Sequence, residues 1–217
     1  MKLSFLDPTS KLATNITNFS RKFRLNVITR TPVETPSLAI ITDGTPDDLV
    51  FAMISHRLDG DKTIAVLKPN IGTRDGAIDL IPTYLQPHTK NILLIMDQES
   101  EPLEILFERC LRKLREKGWK NTENHGKRLK VYKCELGNKE FAVILAINGV
   151  DDVATDNHCI EDHLVKFAGI ECEGDSKAAW NSLPRTEKEE VFKNLLECKD
   201  LETVFPQQFK AGQMIKT

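Results

Sequence analysis

The chain reads as an α/β protein, a Rossmann-like parallel sheet with helices on both faces. Two observations predict this. Three short apolar runs rich in β-branched residues are each followed by a stretch with helical spacing of its apolar residues. The runs are continuously apolar rather than alternating, as expected for strands covered on both sides. At 217 residues with 40% hydrophobic content, the chain has enough apolar material for a sizeable core without disulfides.

Ser37–Thr42 (SLAIIT) is the first predicted strand, and Asp47–Leu58 follows with Leu49, Val50, Met53, Ile54 and Leu58 at helical spacing. Lys62–Leu67 precedes a helix over Gly76–Leu85. Asn91–Met96 precedes Leu103–Lys117, whose Leu103, Phe107, Leu111 and Leu114 form one apolar face with Cys110 as a core position. Two further strands, Leu129–Glu135 and Phe141–Ile147, are joined by Leu136-Gly137-Asn138-Lys139, a hairpin turn, and read as an antiparallel edge addition. Helical segments are expected at 158–168, 174–183 and 186–199. The expected organisation is a basic, irregular or weakly helical N-terminal extension over 1–36, an α/β domain over 37–170, and a helical C-terminal segment over 171–217 packed on the same domain.

The formal charge of −2 is a cancellation of opposed blocks. Residues 1–36 carry six bases against two acids, and 109–133 carry ten against two, whereas 151–205 carry fourteen acids against six bases. A histone-like polycation is excluded, and a polyanionic partner is not. Five cysteines, an odd number at wide spacing, suit a reducing compartment. The first residues show no apolar signal region, and the longest apolar run, Phe141–Ile147, is far short of a membrane span. The expectation is a cytoplasmic protein with no membrane partner.

Ligands of open α/β sheets bind beyond the carboxyl ends of the strands. Three of those ends carry Asp43-Gly44-Thr45-Pro46-Asp47-Asp48, Asp97-Gln98-Glu99-Ser100-Glu101 and Asn148-Gly149-Val150-Asp151-Asp152. Carboxylates gathered at one edge repel unless a cation intervenes, and hard divalent ions take oxygen ligands. The same acids also suit capped helix starts, with Pro46 in a first turn and Asp47 and Asp48 facing a helix dipole. Cys159 and His163 lie one helical turn apart, but without a fourth ligand at finger spacing they read as a partly buried helix face. Neither a Walker loop nor a dinucleotide fingerprint is present.

Ile40-Ile41-Thr42-Asp43-Gly44-Thr45-Pro46-Asp47-Asp48 resembles the first motif of TOPRIM domains, and Ile92 through Glu99 resembles the second, an apolar strand ending in Asp-x-acid. Lys68 through Arg74 and Ile160-Glu161-Asp162-His163-Leu164 resemble stretches of small stand-alone TOPRIM-related proteins. The resemblance covers about 37–168 and departs from the family at Asp43, where Glu is usual, and at Glu99, where Asp is usual. It implies Mg²⁺- or Mn²⁺-dependent phosphodiester or phosphotransfer chemistry on nucleic acid or a nucleotide. In that reading Asp43 is the general acid/base, Asp97, Glu99 and Glu161 are metal ligands, and Glu101 stands one step behind them. Gly44, Asp47 and Lys68 belong to the matching motifs. The alternative is a TOPRIM-like fold kept as a binding or regulatory module without turnover. Arg109, Arg112, Lys113, Arg115 and Lys117, on the helix after the second motif, are the expected nucleic-acid contacts if their face turns toward the carboxylates.

Overall fold

The computed structural model describes residues 1–29, 36–42, 44–69, 74–85 and 89–216. In chain order the elements are β1 (Lys2–Phe5), α1 (Lys11–Phe23), β2 (Ser37–Ile41), α2 (Thr45–Arg57), β3 (Thr63–Leu67), α3 (Arg74–Tyr84), β4 (Asn91–Asp97), α4 (Leu103–Arg115), β5 (Trp119–Gly126), β6 (Leu129–Leu136), β7 (Lys139–Asn148), α5 (Ile160–Ala168), α6 (Ser176–Ser182), α7 (Arg185–Glu197), α8 (Leu201–Val204) and α9 (Pro206–Lys216). One seven-stranded sheet is ordered β1-β3-β2-β4-β7-β6-β5. The first five strands in that order are parallel, and β6 and β5 are antiparallel additions.

Period-2 alternation splits the central strands between two apolar layers. Ala39, Ile41, Leu93, Ile95, Ala142, Ile144 and Ala146 face a core built with α1, α2 and the C-terminal helices. Leu38, Ile40, Ile92, Leu94, Met96, Val143, Leu145 and Ile147 face a second core with α3 and α4. α4 buries Leu103, Leu106, Phe107, Cys110 and Leu114, a stripe at helical spacing, and leaves its bases on the outer side.

Two expectations change and a third is extended. Residues 1–29 of the segment expected to be irregular or weakly helical are part of the fold: β1 pairs parallel to β3, and α1 packs Leu12, Ile16 and Phe19 into the first core. Ser10 caps α1 by accepting from the Ala13 amide at 3.2 Å. The strand over Phe141–Ile147 is not an edge but the parallel neighbour of β4; its hairpin partner β6 runs antiparallel to it, and β5 pairs antiparallel to β6. α8 and α9 fall within the helical segment expected over 171–217, though the sequence pattern places no separate helix beyond 199, and lie over the first core, with Phe205, Phe209, Ala211 and Ile215 buried.

The order in which the chain adds strands reverses between β2 and β4, since the chain moves from β2 outward to β3 and then back past β2 to β4. That crevice is where the carboxyl-end loops diverge, and it is where the acids gather. Ladder register places Asp97 level with Asn148 at this edge. At the opposite edge the α4–β5 join turns at Gly118, which has a φ of +79°. A Cβ there would stand 1.8 Å from the Glu135 carbonyl oxygen. Gly137, in the β6–β7 hairpin, also has a positive φ but faces open space. Gly118→Ala should therefore cost about 3 kcal/mol or more in urea unfolding, and Gly137→Ala only about 1 kcal/mol; equal losses would refute this packing of the join.

Candidate metal and phosphate site

Asp97 and Asn148 continue the alternation that points Ile95 and Ala146 into the first core, so both side chains lie on the same face of the sheet. Asp97 is 1% exposed and Asn148 is fully buried. The Asn148 amide nitrogen donates to Asp97 Oδ1 at 2.8 Å and to Asp47 Oδ1 at 2.6 Å, using both of its hydrogens. Asp47 comes from the first turn of α2, which begins after Gly44 with Pro46 in its opening turn. Gln208 of α9 donates to Asn148 Oδ1 at 2.7 Å, which fixes the amide so that its NH₂ end faces the two carboxylates.

The third arm of the site is α5. Its cap residue, Cys159, is extended and makes no side-chain cap, and the orphan amide of Ile160 donates instead to Asp97 Oδ1 at 3.1 Å. Asp97, Cys159 and Glu161 are all buried, and their candidate ligand atoms lie within 4.8 Å of one another. Burial is the main cause that pushes the Cys159 thiol far up its titration range, and the Glu161 and Asp97 carboxylates add to it. The group at the site is thus an S–H. The Glu161 carboxylate, 3% exposed, has no hydrogen-bond or ion-pair partner among the described residues.

Neighbouring groups that look catalytic are occupied structurally. Asp162 accepts from the Val150 amide at 3.1 Å and the Ser176 hydroxyl, and its Oδ2 lies 2.7 Å from His158 Nδ1. It fastens the loop after β7 to α5 and α6. His163 lies 2.6 Å from the Val204 carbonyl through Nδ1 and 3.0 Å from Gln207 Nε2 through Nε2. Burial lowers its pKa to about 4, so it is a neutral core imidazole, as the helix-face reading expects. Arg128, 7% exposed, binds Asp151 at 2.7 Å and the Asn148 carbonyl at 3.3 Å. The chain then leaves β7 through Gly149, whose φ of +127° and contacts with His158 and Arg128 leave no space for a side chain.

The predicted residues divide. Asp97, Glu161 and Asp47 come together on one face, held around Asn148. Asp43 lies outside the described residues, as do most of the residues between Lys68 and Arg74. Lys68 and Gly44 meet, with the ammonium 3.2 Å from the Gly44 carbonyl and from Asp48 Oδ1. Asp48, fully buried and also bound by Asn15 at 2.8 Å, has its pKa raised by desolvation against the pull of Lys68.

Glu99 is a correction. It is exposed and left-handed at φ +55°, and it is not in the Asp97–Cys159–Glu161 group. Its contribution is backbone: its amide donates to the His158 carbonyl at 2.7 Å and its carbonyl accepts from the His158 amide at 3.1 Å, which brings Cys159 and Glu161 beside Asp97. Glu101 pairs with Arg109 rather than standing behind an ion.

The basic face of α4 is a second correction. Trp119 is level with Cys134, Cys134 with Phe141, and the adjoining Ala142 with Asn91, all at the edge where the parallel strands begin. α4 runs toward that edge over its thirteen residues, about 20 Å. Arg112, Lys113, Arg115 and Lys117 therefore sit away from the carboxylates. Lys113 pairs with Asp79 at 2.6 Å, and Arg115 lies over the Trp119 ring.

Cys159, Asn148, Arg128 and Gln208 are site residues that sequence reading did not select. Asn148 stood at a strand end, but it is uncharged; Gln208 belongs to a helix for which no signal was read. No family model, curated protein or solved structure matches this chain.

Cys110, Cys134 and Cys159 are buried, with thiols raised by desolvation, whereas Cys172 and Cys198 are half-exposed. A thiol-reactive chromophore at pH 8 should label two cysteines in the native chain and five in denaturant; rapid native labelling of Cys159, located by mass spectrometry, would contradict the closed site.

Proposed function

We propose that this chain is a TOPRIM-like enzyme that uses a divalent cation, Mg²⁺ or Mn²⁺, for phosphodiester or phosphoryl-transfer chemistry on nucleic acid or a nucleotide. The observation that carries the reading is Glu161. It is buried with Asp97 and Cys159, the candidate ligand atoms of the three lying within 4.8 Å of one another, and two carboxylates gathered so closely repel unless a cation compensates them. A cation held between Glu161 and Asp97 supplies that compensation. The donor set fits: two hard carboxylates beside a single thiol, so oxygen ligands predominate.

In this reading Asp97 and Glu161 hold the ion, which when bound polarises a phosphoryl oxygen and activates water. The Asn148 amide and the Ile160 N–H both donate to Asp97 Oδ1 and so fix the orientation of its carboxylate. Asp47, tied to the same amide, sets the distance of α2 from the site. Asp43 is the proposed proton-transfer group, one residue before Gly44 at the start of α2. The position at a sheet's switch point and the resemblance of the first two motifs support phosphate as the reacting group. The soluble character of this reading agrees with the absence, among the described residues, of any helix long and apolar enough to cross a membrane.

A second reading, a binding or regulatory module without turnover, is favoured by one observation. Neither of the two larger cavities is lined by Asp97 or Glu161.

Calorimetric titration with Mn²⁺ and Mg²⁺ should find one site, weakened at least about tenfold in Asp97→Asn and in Glu161→Gln, both checked for folding by circular dichroism. Plasmid nicking and RNA cleavage should require the metal and vanish in both variants. Metal binding indifferent to both substitutions would sink the proposal. Metal binding without turnover would select the second reading.

A further inference from the structure

A groove of about 830 Å³ lies between α1, the first turn of α2, and helices α6 and α7. Its floor is aromatic. Phe19 packs against Phe23 at 4.8 Å between ring centroids and edge-on to Phe192 at 5.4 Å, and Phe192 meets Trp180 edge-on at 5.7 Å. Phe19, Trp180 and Phe192 are buried and make a rigid base, while half-buried Phe23 stands at the side. The rim is cationic: Arg21, Lys22, Arg185 and Lys188 against one acid, Glu189, so four bases less one acid leave +3. Glu189 is bound by Lys22 and Arg185, and its pKa is lowered mainly by the first. Lys22 lies 5.7 Å from the Phe23 ring centroid and Lys188 5.9 Å from that of Trp180, so the cations and rings form one surface.

We propose that this groove binds a single-stranded nucleic-acid segment and leads it to the carboxylate edge. A cationic rim complements a phosphate backbone, and an aromatic side suits unstacked bases without regard to their sequence. The groove ends at Thr45 and Pro46, directly before Asp47 and Asp48, and its Asn15 is the residue that holds Asp48. Apart from the first turn of α2, its walls come from α1, α6 and α7, which lie outside the stretch of TOPRIM resemblance. It replaces the α4 face as the nucleic-acid surface, because it opens at the correct edge of the sheet. The direction toward the carboxylates rests on the proposed function; binding in the groove does not.

The test is fluorescence anisotropy of a labelled ten-nucleotide single-stranded DNA with the full chain in EDTA, so that loss of the metal site cannot imitate loss of the groove. The single strand should bind more tightly than a duplex of the same sequence. Arg21→Ala, Arg185→Ala and Lys188→Ala should each lower the slope of log affinity against log salt by about 0.7. Phe23→Leu, which keeps an apolar side chain, should weaken binding about tenfold with the slope unchanged. Arg112→Ala/Arg115→Ala/Lys117→Ala should change nothing. No binding by the wild type, equal binding of duplex, unchanged slopes in the groove variants, or equal displacement by polyglutamate would each overturn the assignment.

Discussion

The amide of Asn148 between two buried carboxylates is the interaction around which the functional edge is organised. Asp47 and Asp97 both bond its nitrogen, at 2.6 and 2.8 Å, in a region almost without solvent. Two like charges so placed repel strongly at low dielectric, and a neutral group with two N–H donors can hold them together without adding a charge of its own. A serine or leucine at 148 offers fewer donors or none, and an aspartate adds a third charge. The register of β4 with β7 sets Asp97 and Asn148 side by side, α2 brings Asp47, and α9 orients the amide through Gln208. The carboxyl edge therefore depends on elements from four separated parts of the chain.

The architecture was legible where burial is periodic. β2, β3, β4, β6 and β7 are runs of apolar residues that pack against a core face, and α4 carries a clear apolar stripe, whereas α2 is buried over the consecutive residues Val50–Ser55. β1, with four residues, is too short to display a period, and β5 (WKNTENHG) is an exposed edge held by backbone pairing. α9 hides its pattern differently: Gln207 and Gln208 are buried by polar contacts, so its inward face is not apolar.

The site was legible in part for the same reason. Asp97 stands out as an acid at the end of a strand, whereas Glu161 entered only through the resemblance of Ile160–Leu164 to stretches of TOPRIM-related proteins. Glu99 has the same local credentials, yet its left-handed backbone turns the chain back to pair with His158. That pairing is what carries Cys159 and Glu161 to Asp97 from some sixty residues away. Contacts of this range leave no trace in spacing. The basic run over 109–133 misled by the same route: its charges are adjacent in sequence but spread along α4 and β6 to opposite edges of the sheet, so that Arg109 pairs with Glu101 and Lys127 and Arg128 with Asp151, while Arg112, Lys113 and Arg115 lie at the far edge. The cations that border the functional edge are instead on α1 and α7, which the resemblance does not cover.

The account is centred on a cation between Asp97 and Glu161, and crystals soaked in Mn²⁺ test it most directly. An anomalous difference map should show one strong peak about 2.1 to 2.2 Å from an oxygen of each carboxylate, with Asn148 still bridging Asp97 and Asp47. A map without a peak there, with the Glu161 carboxylate instead turned to solvent or bonded to protein, would contradict it.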